Sequence, residues 1–80
     1  MKKQPKIIFK PGTVDRLVRE NDTTITRLAI EIGVSYSQLW RSNLAQNDKH
    51  FNFVGSDLVA GMLRAFPDTR FEEYFDVILV

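Results

Sequence analysis

The stretch from Thr24 to Asn43 constrains the fold of this 80-residue chain more than any other part of it. Apolar residues recur there at the spacing of one helix face: Ile25, Leu28, Ala29 and Ile32. Thr24 can cap this first helix, and Ser35 can cap a second one. Ser35 and Gln38 match a capping box, in which each side chain bonds a backbone N–H of the other residue. The stretch therefore predicts two helices joined by a tight turn.

These residues resemble the helix-turn-helix of the Cro and lambda-repressor-like regulators, often called the Xre family. The resemblance depends on small, turn-forming and capping residues at the family's spacing. The matching residues are Leu28, Ala29, Ile32, Gly33, Val34, Ser35 and Leu39. Ser42 departs from the pattern, because the family usually has an aliphatic residue there. The resemblance implies a mainly α, five-helix lambda-repressor-like domain over residues 1–80, with the motif at 24–43.

The flanking sequence predicts the other three helices. The first would begin after a cap at Thr13 and run to about Asn21, with Val14, Leu17 and Val18 on one face. Another would begin after a cap at Ser56 and end at Pro67, with Gly61 permitting close packing against a neighbouring helix. A short last helix would begin at Asp68 or Thr69.

Two β-favouring runs flank these helices, KIIFK at residues 6–10 and FDVILV at residues 75–80. Neither run is long enough to be stable alone, so we expect them to pair as a small two-stranded antiparallel sheet. One face of that sheet would cover the core with Ile7, Phe9, Val77 and Leu79. Its free edge could pair with a second copy of the chain, and both a homodimer and a monomer remain open.

The composition argues against several classes of protein. The chain has no cysteine, which excludes a disulfide framework and a thiolate metal site. Its single histidine, His50, has no partners for a metal site, and no catalytic motif is recognisable. We therefore expect no cofactor and no enzymatic activity. No apolar run approaches the roughly 20 residues of a membrane span, and no signal peptide is recognisable, so we expect a cytoplasmic protein without a membrane partner.

The charge is unevenly distributed along the chain. Residues 1–47 carry eight basic and four acidic residues, a net charge of +4, whereas residues 48–80 carry three basic and six acidic residues, a net charge of −3. Affinity for nucleic acid comes largely from neutralising phosphates. The basic half contains the helix-turn-helix motif, which favours DNA as a partner.

The resemblance also implies which side chains meet DNA, because the second helix of such a motif enters the major groove. The groove-facing set would be Ser35, Tyr36, Ser37, Trp40 and Arg41, with Arg41 the best candidate to read guanine or hold a phosphate. Gln38 would complete the capping box or read adenine. Thr24 and Thr26 would lie at the DNA backbone, where helix N-terminal N–H groups bind phosphate. Lys49, in the loop after the second helix, would be a further phosphate contact.

The sequence leaves the orientation of Trp40 open. In a rival arrangement, a buried stripe at helical spacing would contain Tyr36, Leu39, Trp40 and Leu44. The missing aliphatic residue at Ser42 favours that arrangement, because Trp40 would fill the space. For Tyr36 we prefer contact with the groove.

The sequence as a whole predicts a sequence-specific regulator that binds double-stranded DNA. The resemblance further implies a small repressor or Cro-like protein from a phage or another mobile element. The alternative is a protein-interaction module that keeps the helix-turn-helix fold but binds a protein partner, as an antirepressor or an antitoxin-like protein would.

Overall fold

The computed structural model describes residues 2–80 and places five helices between two strands. The elements are β1 (Pro5–Phe9), α1 (Thr13–Glu20), α2 (Ile25–Ile32), α3 (Tyr36–Asn43), α4 (Ser56–Ala65), α5 (Phe71–Tyr74) and β2 (Phe75–Leu79). This confirms the expected number and order of helices and strands in a mainly α domain.

The two strands pair as the sequence predicts, antiparallel and in one sheet, with Pro5 opposite Leu79 and Phe9 opposite Phe75. Burial along the sheet differs from the prediction. Phe9 and Phe75 are buried with their ring centroids 5.1 Å apart, but Val77 and Leu79 are 58% and 63% exposed. Helices cover only the Phe9 end of the ribbon, so the expectation that Val77 and Leu79 cover the core was wrong.

The core forms where α2, α3 and α4 meet the buried end of the sheet. Its apolar side chains are Phe9, Val14, Leu17, Leu28, Ala29, Ile32, Leu39, Val54, Leu58, Met62, Tyr74 and Phe75. Gly61 lies where α4 crosses α2, and a Cβ atom built there would lie 2.1 Å from the Ile32 carbonyl oxygen. This close approach confirms the predicted role of Gly61 and identifies α2 as the helix that packs against it.

The caps of the helix-turn-helix stretch form as predicted. The Thr24 hydroxyl accepts a hydrogen bond from the Arg27 N–H at 3.2 Å, and the Ser35 hydroxyl accepts one from the Gln38 N–H at 3.0 Å. Gly33 ends α2 with φ +90°, a conformation that favours glycine. The sequence therefore specifies both helix starts and the turn between them locally.

The predicted caps of α1 and α4 were wrong by one residue. Gly12, with φ +77°, caps α1, because the turn from β1 into the helix requires a left-handed residue. Thr13 is instead the first helical residue, and its buried hydroxyl donates to the Lys10 carbonyl at 2.7 Å. Similarly, Gly55 caps α4 in extended conformation and Ser56 is already helical.

The last helix also begins later than predicted. Arg70 is its N-cap and Phe71 its first residue, because the Glu73 carboxylate accepts a hydrogen bond from the Arg70 N–H at 2.8 Å and fixes the start there. The expectation of a start at Asp68 or Thr69 was therefore wrong by two or three residues.

Candidate nucleic-acid interface

The turn between α2 and α3 is held by backbone hydrogen bonds of its own and by one side chain of α4. The N–H groups of Gly33 and Val34 both donate to the Ala29 carbonyl, at 2.9 and 3.0 Å. The Arg64 guanidinium on α4 donates to the Glu31 carbonyl at 3.3 Å. These bonds satisfy carbonyls at the end of α2 that lack a helical partner, and they fix the direction in which α3 leaves the turn.

The structure decides which side of α3 faces solvent. Leu39 and Ser42 are buried at 0% and 3% exposure, and they form the inward row of the helix. The exposed side contains all five residues expected to face a groove: Ser35, Tyr36, Ser37, Trp40 and Arg41. The helix therefore presents one continuous row of polar and aromatic side chains to solvent.

Trp40 does not join a buried stripe. Its side chain is 37% exposed and Tyr36 is 46% exposed, so the rival arrangement with both residues in the core does not form. The Trp40 ring lies beside His50, with the ring centroids 6.3 Å apart. Trp40 therefore rests on the loop after α3 while one part of its ring stays accessible.

The loop after α3 lies against the C-terminal end of that helix. The N–H groups of Leu44 and Asn52 both donate to the Arg41 carbonyl, each at 3.3 Å. Within the loop, the Asp48 carboxylate accepts a hydrogen bond from the His50 N–H at 2.8 Å. Lys49 is exposed between these two residues, so the structure places it in the segment that borders α3.

Gln38 plays a different part from the one predicted. Only the half of the capping box made by the Ser35 hydroxyl forms, and the Gln38 side-chain amide donates to the Asp57 carboxylate of α4, at 2.7 Å. This hydrogen bond, and a second one from the Leu58 N–H, lower the pKa of Asp57 below its ordinary value. Gln38 thus ties α3 to the start of α4.

Sequence reasoning missed Asp57, since nothing in the local pattern links residues 19 positions apart. Its position in the first turn of α4 was the one available signal, because an acidic residue is favourable there.

The basic side chains near α3 are free of acidic partners within residues 2–80. Two ion pairs form in that range, Lys10 with Asp76 and Arg16 with Glu20. Arg41 and Lys49 take part in neither, so their charges remain available to an anionic partner.

The start of α2 is also accessible, with Thr24 and Thr26 both exposed. The Thr24 hydroxyl is engaged by the Arg27 N–H, so Thr24 contributes the helix cap there. Helix N-termini carry partial positive charge, which suits a phosphate. The side chain of Thr26, in the first turn of α2, takes no part in this cap and is exposed.

Neither a metal site nor a membrane-spanning helix is found in the part of the chain that the structure describes. Across residues 2–80, no group of three histidine, cysteine or acidic side chains could hold a metal ion. The helices in that range are all too short or too polar to cross a membrane.

Comparison with known proteins adds no family to this description. No protein-family model, curated protein or solved structure matches the chain. Any assignment of function rests on the geometry of the candidate surface.

Proposed function

We propose that the protein is a sequence-specific regulator that binds double-stranded DNA, with a Cro- and lambda-repressor-like fold. The observation that carries the proposal is the exposed row on α3, which a three-residue turn joins to the end of α2. An α-helix fits the major groove, and side chains near its N-terminus can reach base edges there. All five residues of that row are exposed, whereas Leu39 on the opposite side is buried.

Within this proposal, each exposed residue has a role that its chemistry supports. Arg41 reads guanine, because a guanidinium can bond O6 and N7 together. Tyr36 and Trp40 make apolar contacts with thymine methyl groups or the sugar wall. Ser37 and the free Thr26 hydroxyl bond phosphate oxygens, which position the helix without reading sequence.

Lys49 and Gln38 lie at the border of this surface. Lys49 neutralises a phosphate next to the C-terminal end of α3. Gln38 keeps the separation between α3 and α4 through Asp57, and its remaining amide groups are free to bond DNA. The proposed setting is a small repressor or Cro-like protein of a phage or another mobile element, acting in the cytoplasm.

The second candidate is a protein-interaction module of the same fold. The exposure of Tyr36 and Trp40, 46% and 37%, favours it, because aromatic side chains are enriched where protein interfaces concentrate their binding energy. An antirepressor or an antitoxin-like protein would cover this row with a partner protein. The two candidates differ in the dependence on salt, which is steep for a DNA reader.

Selection of bound sites from a random DNA library, followed by gel-shift titrations across salt concentrations, tests the proposal. We expect enrichment of one sequence and a slope of log K against log salt of about −0.9 for each phosphate neutralised. Lys49→Ala should make this slope less steep by the contribution of about one phosphate. Arg19→Ala, which removes an exposed cation on α1, is the matched control and should leave the slope unchanged. If no sequence is enriched, and if the weak binding to DNA is the same for the parent and for Lys49→Ala, the protein-interaction module is favoured.

A further inference from the structure

A cleft of about 410 Å³ lies between two segments of the chain that are distant in sequence. The first segment is the end of β1 and the turn after it, residues 8–12. The second is the end of α3 and the start of the loop that follows, residues 42–46, together with Phe51. The lining residues that the structure describes include none of the five in the exposed row on α3. The cleft is therefore separate from the surface proposed to bind DNA.

Ser42 gives this cleft a polar group that the fold leaves unused. The residue is 3% exposed, and its hydroxyl forms no hydrogen bond within residues 2–80. Thr13, the other buried polar residue in that range, bonds the Lys10 carbonyl at 2.7 Å. Buried hydroxyls are normally paired in this way, so the Ser42 hydroxyl is an exception.

The unpaired hydroxyl of Ser42 reaches into the cleft. In the described part of the chain, no side-chain nitrogen or oxygen of a residue that is not exposed is both closed off and without a hydrogen-bond partner. The Ser42 oxygen has no partner, so it must have access to open space. The cleft that Ser42 lines is that space.

The rest of the lining is mainly apolar. Ile8, Leu44 and Phe51 are half-buried there. Lys10 is the one charged residue among the described lining residues, and it is paired with Asp76 at 3.8 Å. Sites for small molecules have volumes of about 300–1,000 Å³ and combine apolar walls with a few polar groups. The cleft has this size and this composition, and its one charge already has a partner.

We propose that the cleft binds a small neutral molecule, with one ring or two fused rings and one N–H or O–H group that donates to the Ser42 hydroxyl. The ring system packs against the apolar side chains of Ile8 and Phe51. A donor is favoured because Ser42 lies in the last turn of α3, and the C-terminal end of a helix carries partial negative charge. The site goes beyond the proposed DNA-binding function and does not depend on it.

Indole and indene are matched probes of this site, because they share one fused-ring shape and only indole has an N–H group. In a two-dimensional NMR titration with indole, we expect saturable shifts of the backbone amide signals of residues 8–10 and 42–46. The signal of Ser37, on the exposed side of α3, should stay in place. Shifts spread evenly over the surface, or no saturable shift up to about 10 mM indole, would overturn the proposal.

Ser42→Ala tests the hydrogen bond, because it removes the hydroxyl and keeps the Cβ atom. We expect it to weaken the binding of indole by about 2–10-fold, the usual net effect of one hydrogen bond, and to leave the binding of indene unchanged. Ser37→Ala, at an exposed serine of the same helix, is the matched control and should affect neither probe. An equal loss of affinity for both probes, or no loss for either, would overturn the role assigned to Ser42.

Ser42→Leu tests the position of the site, because its side chain would fill the cleft. It should abolish the binding of both probes while the melting temperature stays at or above that of the parent. A folded Ser42→Leu variant that still binds indole like the parent would overturn the site, and if this variant does not fold, the comparison with Ser42→Ala decides. A parent protein that binds indole but no DNA overturns the proposed function alone, whereas one that binds DNA but not indole overturns the cleft site alone.

Discussion

Replacing Gly61 with alanine should destabilise the protein through the contact between α4 and α2. A Cβ atom at this position would lie 2.1 Å from the Ile32 carbonyl oxygen and 2.8 Å from the Ile32 Cγ2 atom. Ordinary van der Waals contact begins at 3.4 Å. The two helices would therefore have to separate by more than about 1 Å where they cross, since a helical carbonyl cannot rotate away as a side chain does.

Two opposing effects determine how much Gly61→Ala changes the free energy of unfolding. On an exposed helix, glycine to alanine stabilises by about 1 kcal/mol, because glycine loses more backbone entropy on folding. Overpacking a core costs about 1–3 kcal/mol, and here the separation also loosens the buried contacts of Leu28, Leu58 and Met62. We expect the free energy of unfolding to fall by about 2 kcal/mol, which lowers the melting temperature of a domain of this size by roughly 8–16 °C.

Thermal and urea unfolding, followed by circular dichroism, measure this change. Gly55→Ala, at the N-cap of the same helix, is the control, because its Cβ atom would approach only the Asp57 carboxylate, at 3.0 Å, and that side chain can move. We expect the control to cost about 1 kcal/mol or less. A Gly61→Ala variant that melts at or above the temperature of the parent would refute the close approach of the helices.

Three further predictions concern the turn, the proposed DNA contact and the link between α3 and α4. Gly33→Val should cost about 1–3 kcal/mol and lower the melting temperature, because φ is +90° there, whereas Gly33→Asn should cost less; equal stability of both variants would contradict this account. Arg41→Ala should leave the melting temperature unchanged and remove about 1–3 kcal/mol of discrimination between its site and random DNA, measured by competition; unchanged discrimination would exclude Arg41 as a reader. The Gln38 amide is the main cause that lowers the pKa of Asp57, so their bond stabilises the fold above the ordinary pKa of 3.8 and is lost as the pH falls through the lowered pKa. In an NMR titration, Gln38→Ala should raise the pKa of Asp57, and an unshifted titration would contradict the role of the bond.

Local signals in the sequence predicted the helix-turn-helix stretch well. Thr24 and Ser35 bond N–H groups three residues further along, and Gly33 needs only its own backbone conformation. These interactions depend on residues close in sequence, so their pattern is readable without knowledge of the fold. The pairing of the two ends was predictable for another reason, since only two runs favoured strands and each needed a partner.

The predictions from sequence were wrong where contacts between distant parts of the chain determine the local structure. The start of α1 depends on how the chain leaves β1, which requires the left-handed Gly12 and moves Thr13 into the helix. The exposure of Val77 depends on how far the helices extend beneath the sheet, and no periodicity in the strand reveals that length. The bond between Gln38 and Asp57 depends on the packing of α4 against the start of α3.

The orientation of α3 follows from how the chain accommodates Ser42. Trp40 could have rotated inward to replace the aliphatic side chain expected at that position, but Ser42 itself occupies the buried row at 3% exposure. A cleft of about 410 Å³ opens beside Ser42, with Ile8 and Phe51 among its walls. Rotating α3 to bury Trp40 would have moved Leu39 from the middle of the buried face towards its edge, and a fully buried leucine is worth about 1.5–3 kcal/mol. The helix therefore keeps Leu39 inside, and its exposed row consists of Ser35, Tyr36, Ser37, Trp40 and Arg41.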